Sequence, residues 1–376
     1  MSLESIPEPV LPADDWVLVR TELCGICGSD IKQVFLDGNF DNPLTAFVSF
    51  PQVLGHEAVG VIQHTGPGVK NRSIGERVVL NPWLPCITRG ISPPCKACQR
   101  GHHYLCENFT KGYLPPGMHI GNNKSATGGY APLFAAHESQ LFQIPDAISF
   151  EEAVLADPFS VSLHAVLKAP PEAGTLAVVY GCGTLGLLTV ALLNILYPQV
   201  EVLAITRYPH QEGLARKFGA KYTIRDMKPA EIIETIADIV DTKIYRPWKG
   251  KPMLMGGAER IYDTVGSPET VEIGIRIAQP QAKIVITGVA NPARFEWTPL
   301  YFKEIEILGS NAFGIETFQG KRLHSMEIYL RLLEEKRMDL TKMITHHFHI
   351  EQFRQAFLAA HGKANSEAVK VVFEYD

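Results

Sequence analysis

No run of apolar residues in this chain reaches the roughly 18 that suggest a membrane helix. The N-terminus carries neither the basic nor the apolar region of a secretory leader. A strong charge of one sign is missing as well. A net charge of -5, from 40 acidic and 35 basic residues, gives no reason to expect nucleic acid or an anionic membrane as partner. Neither an internal repeat nor a low-complexity segment interrupts the 376 residues. Cysteine is sparse, and its odd count of seven argues against a disulfide framework. Four of the seven, Cys86, Cys95, Cys98 and Cys106, share one short stretch, and Cys24 and Cys27 form a second group. That clustering fits metal binding in a reducing compartment, so the protein is expected in the cytoplasm.

A chain of this length exceeds one hydrophobic core and predicts two domains. After a proline-rich start, Trp16-Val17-Leu18-Val19-Arg20 alternates as a strand that delivers the turn Cys24-Gly25-Ile26-Cys27-Gly28-Ser29-Asp30. Residues 36–51, rich in Asn, Pro, Gly and Phe, read as a loop. Apolar residues on both sides place Gly55-His56-Glu57 at a strand edge or bend. Short strands separated by Gly/Pro turns predict a small barrel-like β module in the first 150 residues. Beyond Pro158 the pattern changes. Strands near 176–180, 200–205, 222–224, 260–264 and 284–288 alternate with helices near 184–196, 209–218, 231–240 and 269–278. This spacing predicts a doubly wound parallel sheet. Residues 243–258 read as a surface loop. Two amphipathic helices, 326–335 and 351–361, and a closing strand, 369–374, finish the chain.

Three groups of residues carry chemistry. Thiolates at Cys24 or Cys27, the imidazole of His56 and the carboxylate of Asp157 are ligand types that suit a catalytic zinc with one open position. Four thiolates at Cys86, Cys95, Cys98 and Cys106 can close a structural zinc site, with Cys86 the outlying member. Gly181-Cys182-Gly183-Thr184-Leu185-Gly186 follows a strand and opens a helix, the context that makes G-x-G-x-x-G a dinucleotide fingerprint. Gly181 allows the tight turn, Gly183 the approach of a pyrophosphate and Gly186 close helix–sheet packing, with Thr184 and Leu185 in the first helical turn. The second strand ends without an acid, in Ile205-Thr206-Arg207-Tyr208. Thr206 and Arg207 therefore favour a 2′-phosphate, and NADP over NAD. Arg207 stacking on adenine or facing water is the other reading.

These motifs, in this order and over nearly the whole chain, resemble the zinc-dependent medium-chain dehydrogenase superfamily, which includes alcohol, sorbitol and threonine dehydrogenases. The resemblance implies a GroES-like β-barrel catalytic domain, residues 1–158 with a zinc lobe at 86–106, completed by residues 303–376. A Rossmann NAD(P)-binding domain, 159–302, would lie between, with the active site in the cleft. It implies that Cys27, rather than Cys24, is the zinc ligand, together with His56 and Asp157. Glu57 would be a ligand itself or a mobile neighbour. Asp30 would hydrogen-bond the histidine ligand, Ser29 would relay a proton, and Lys370 would reach the cofactor pyrophosphate. The implied reaction is interconversion of a small-molecule alcohol and its ketone or aldehyde by hydride transfer, with one catalytic and one structural zinc, in a homodimer or homotetramer. A zinc-free NADPH reductase on the same scaffold would need the Cys27, His56 and Asp157 set to be broken. A non-catalytic binding protein is the other class. Against the family pattern, Lys32 stands where many relatives carry a histidine, the N-terminus reads as short by about a strand, and the first cysteine gap is long. The loops 35–50 and 115–129 mix polar and aromatic residues, which points to a polyol, sugar-derived or hydroxy-amino substrate rather than a simple aliphatic alcohol.

Overall fold

Alternating burial along Trp16–Gly25 (β1) makes this strand the axis of the first sheet, with Trp16, Val17, Val19 and Cys24 turned into the core. The computed structural model describes residues 1–35, 42–225, 227–290 and 293–375, so 36–41 of the expected loop lie outside the described residues. β1 pairs antiparallel with Glu57–Thr65 (β2), which continues to Arg77–Leu80 (β3). Its other edge takes Leu133–His137 (β4) along residues 16–20, and β3 takes Leu141–Gln143 (β5). Ile62, Leu80, Phe134 and Leu141 fill the core around Trp16.

The chain forms two compact units, Met1–Ser160 with Phe313–Asp376, and Val161–Ala312. In the second, Leu176–Tyr180 (β6), Glu201–Thr206 (β7) and Tyr222–Arg225 (β8) are followed by a short hairpin, Ile244–Tyr245 (β9) and Met253–Leu254 (β10). Ala258–Asp263 (β11), Ala278–Ile286 (β12) and Glu306–Gly309 (β13) complete a parallel sheet of order β13-β12-β11-β6-β7-β8. Every residue of β6 and β11 is buried, the uniform pattern of strands covered on both faces by helices. Each buried Val or Ile there contributes about 1.5–3 kcal/mol. This is the expected doubly wound sheet. Two details differ from the sequence reading. Within the stretch 243–258 a two-residue strand pair, Ile244–Tyr245 with Met253–Leu254, brackets an irregular exposed loop, and Leu254 anchors it in the core. The second unit runs on past 303, because β13 pairs in parallel with β12.

The chain then returns to the first unit through a hairpin, Ile315–Phe318 (β14) and Lys321–His324 (β15), and the helix Ser325–Glu334. Ile344–His349 (β16) and Lys370–Glu374 (β17) extend the first sheet to the order β16-β17-β1-β2-β3-β5. β17 pairs with residues 23–25 of β1. Among the described residues no helix is long and apolar enough to cross a membrane.

Candidate active site and metal centres

Sheet register assembles the first site. Gly25, the last residue of β1, lies opposite Glu57, the first residue of β2, and opposite Val372 of β17. The residues just beyond these ends therefore converge. Cys27 caps the helix Gly28–Val34, and its backbone N–H donates to Asp30 Oδ2 at 3.1 Å, which fixes the turn. Ligand atoms of Cys27, His56 and Glu57 all lie within 4.8 Å of one another. Cys24 is fully buried and lies outside this set. Asp157, in the first turn of the helix Ala156–Lys168, is also buried, but its carboxylate does not belong to the 4.8 Å group.

The charges around this set favour a cation. Burial works against a charged His56, yet Asp30 and Cys27 raise its pKa well above the usual imidazole value. Asp30 Oδ1 faces His56 Nδ1 at 3.4 Å, and Tyr130 donates to Asp30 Oδ2 at 2.7 Å. Asp30 is held below the ordinary carboxylate range, His56 and these donors outweighing its burial. Asp157 is pushed up to about 7 by burial, then by the field of Glu57 and Asp30, against His56 and Lys370. A thiolate, an imidazole and two carboxyl groups in one buried patch are the donor chemistry of a zinc site. Asp30 lies behind the imidazole, on its Nδ1 side.

Lys370 opens the closing strand β17. It is 2% exposed, with its ammonium ion-paired to Glu57 Oε2 and donating to the Ile26 carbonyl at 3.2 Å. Ser29 is exposed on the first helical turn beside Cys27, and Lys32 is exposed on the next. Two neighbours escaped the sequence reading. One is Tyr130; the other is His119, whose ring lies 4.8 Å from that of His56 and whose pKa burial and His56 pull down to about 4. The Gly128-Gly129 pair before Tyr130 was the available signal, since side chains there would collide with Leu54, Gly55 and Cys24.

The second cluster joins Cys86, Cys95, Cys98 and Cys106, whose sulfurs lie within 4.8 Å of one another, so Cys86 does belong to it. Cys86 and Cys106 stand 3.7 Å apart and Cys95 and Cys106 4.0 Å. Tetrahedral bonds of about 2.3 Å to zinc imply sulfur separations of about 3.8 Å, so the donors fit the ion. Backbone N–H groups of Cys95, Glu107 and Asn108 point at the sulfurs of Cys86, Cys95 and Cys106. Arg89, fully buried, donates to the carbonyls of Leu84, Lys111, Leu114, Pro115 and Gly117. Burial draws its guanidinium down to about 10, against the thiolates of Cys106 and Cys86, which hold it charged. Arg89→Met would leave these carbonyls unsatisfied. We expect a loss of at least about 3 kcal/mol in urea unfolding, with new proteolytic cleavage between residues 86 and 117. Unchanged stability and unchanged cleavage would show that Arg89 does not organise the lobe.

In the second unit, Gly181 has φ 87°, the left-handed conformation that glycine adopts without strain. A Cβ on Gly186 would lie 1.8 Å from the Gly181 carbonyl, so this helix and strand meet at van der Waals limit only with glycine. Gly183, in extended backbone, is the N-cap of the helix Thr184–Leu196. Thr206 is buried, with its hydroxyl 3.4 Å from the Ile224 carbonyl. Arg207 is exposed, its guanidinium 5.7 Å from the Tyr208 ring centroid.

Fold and donor sets together define a metal-dependent dehydrogenase of two units. Residues 13–146 match the family model of the alcohol dehydrogenase GroES-like domain, and residues 184–326 that of the zinc-binding dehydrogenase. The chain belongs to the zinc-dependent medium-chain dehydrogenase family, and it is an oxidoreductase of the alcohol dehydrogenase type. It is 26% identical to galactitol 1-phosphate 5-dehydrogenase of Escherichia coli K12 over 93% of this chain and 91% of the relative. Against sorbitol dehydrogenase of Bacillus subtilis 168 it is 25% identical over 95% and 89%. The crystal structure of galactitol-1-phosphate dehydrogenase from Escherichia coli superposes with a TM-score of 0.76 at 25% identity, covering 99% of this chain and 96% of the other. A zinc-binding dehydrogenase from Sinorhizobium meliloti 1021, solved with NADP, gives 0.75 at 25% identity over 99% and 94%.

Proposed function

We propose that the protein interconverts a secondary alcohol of a polyol or sugar-derived substrate and its ketone, with NADP(H) as hydride carrier and two zinc ions per chain. The observation that carries this reading is the meeting of half-buried Cys27 with buried His56 and Glu57, their ligand atoms within 4.8 Å of one another. Relatives named for galactitol phosphate and sorbitol support the substrate class. When bound, zinc supplies Lewis acidity toward an alcohol or carbonyl oxygen, and nicotinamide accepts or returns hydride.

The residues divide the work. Cys27 and His56 hold the catalytic ion, and Asp30 keeps the His56 ring turned toward it. Glu57 already has a counter-charge in Lys370. Asp157, raised to about 7 by burial among acidic neighbours, is the carboxylate that gains most from a cation and serves as third ligand. Ser29, exposed beside Cys27, passes the substrate proton toward water as a relay hydroxyl. Cys86, Cys95, Cys98 and Cys106 hold the structural ion. In the second unit the backbone of Gly181, Gly183, Thr184, Leu185 and Gly186 binds the pyrophosphate. Thr206 and Arg207 close around the 2′-phosphate, where an acid would repel it.

The test is turnover of a panel of polyols and sugar alcohols with NADP and with NAD, on wild type and Arg207→Ala. The variant should raise the KM for NADP about tenfold, the loss of one charge-assisted contact, and leave the KM for NAD within twofold. Equal effects on both cofactors would remove the NADP assignment. A protein that turns over simple aliphatic alcohols but no polyol would remove the substrate assignment.

A further inference from the structure

The edge strand β16 presents Thr345, His347 and His349 on its exposed face, and the register sets His349 opposite Glu374 of β17. Two imidazoles therefore flank one carboxylate. His347 Nδ1 lies 3.2 Å from Glu374 Oε2, and His349 Nε2 lies 3.7 Å from Glu374 Oε1. The far nitrogen of His347, Nε2, faces a second carboxylate, Glu151 Oε1, at 3.7 Å. A neutral imidazole has a single N–H. His347 can donate to one of these carboxylates, and its other nitrogen then faces an acceptor with a lone pair. A cation seated between the rings and Glu374 removes that conflict.

We propose that His347, His349 and Glu374 form a binding site for a divalent first-row transition ion, apart from the two zinc centres described above. Two imidazoles and a carboxylate are ligands that suit zinc, copper or nickel. Spacing of two residues on one strand face puts both rings on the same side, and the half-exposed His349 ring, now 3.7 Å from Glu374 Oε1, turns toward His347 for the three ligand atoms to meet on one ion. Glu151, with Oε1 3.7 Å from His347 Nε2, lies on the far edge of that ring and favours the orientation in which Nδ1 faces the ion; it is a positioning residue rather than a ligand. Bound metal would clip the edge strand β16 to β17, the strand that carries Lys370 at its other end.

The experiment uses untagged, full-length protein with its two zinc centres filled, titrated calorimetrically with Zn2+ at pH 7.5. One additional equivalent should bind. Its affinity should fall about tenfold or more in His349→Gln and vanish in the His347→Gln/His349→Gln double variant. Glu151→Gln should weaken this binding about tenfold while leaving the thermal midpoint of the protein without added ion unchanged. These side chains are a third to a half exposed, so the variants should fold and keep wild-type turnover. Absence of the additional equivalent, or its survival in the double variant, would overturn the proposal and leave the cluster as a set of surface ion pairs.

Discussion

Cys27→Ala should lower turnover by about 10^3-fold or more and reduce zinc content from two ions per chain to one. The magnitude follows from removing a metal that supplies several kcal/mol of charge stabilisation, at about 1.4 kcal/mol per tenfold in rate. The variant should nevertheless fold. Cys27 is half-buried at a helix cap, and its backbone N–H, not its thiol, makes the bond to Asp30. Metal analysis and turnover are measured on the same preparation. A matched Cys98→Ala variant should show the opposite pattern, with loss of the other ion and a fall in thermal stability before any loss of catalytic competence. If Cys27→Ala retains both ions, the assignment of the catalytic centre fails, because Cys24 is too deeply buried to take its place.

Lys370→Met should cost about 3–5 kcal/mol, the penalty for leaving a buried carboxylate without its partner. Both members of the pair are buried, Glu57 at 3% and Lys370 at 2% exposure. A conservative rescue separates charge from packing. The double variant Lys370→Met/Glu57→Gln should recover most of the loss, giving a coupling energy of about 2–3 kcal/mol in urea unfolding. The pH dependence follows from the direction of the shift. Burial opposes a charged Lys370, but Glu57 and Cys27 carry its pKa above the ordinary lysine value. A raised lysine binds more protons folded than unfolded. Its contribution is complete below about pH 10.4 and is lost as pH rises through the higher folded value. Wild type should therefore lose stability above that pH more steeply than Lys370→Met. Equal slopes, with no recovery in the double variant, would mean that the pair contributes only packing.

Much of this architecture could be read before any coordinates, for a physical reason. Metal sites and the dinucleotide turn demand particular residue types at short spacing, as in Cys95-x2-Cys98 or Gly181-x-Gly183-x2-Gly186. The doubly wound sheet declared itself through uniformly apolar strands such as Leu176–Tyr180. What stayed hidden depends on register between strands far apart in sequence. Nothing near Glu57 announces that its partner is Lys370, and the side chain of Lys370 reads like any basic residue in a closing strand. Tyr130 and His119 escaped for the same reason. Their relation to Asp30 and His56 is made by the packing of a glycine-rich segment against β1 and β2, not by any local pattern. The hairpin within 243–258 was masked by its Pro, Gly and Lys content, which outweighed one well-anchored leucine.

The span of 313 positions between Glu57 and Lys370 also orders events in time. A ribosome adding about 5–20 residues per second exposes Cys27, His56 and Glu57 roughly 15–60 s before it delivers the lysine. During that interval the emerging chain already holds its soft and imidazole donors, while the neighbouring carboxylate has no counter-ion and β1 has no final neighbour. The centre is thus begun by the first strand and finished by the last. A nascent or prematurely terminated chain without β17 carries the ligands but lacks the buried charge that balances them.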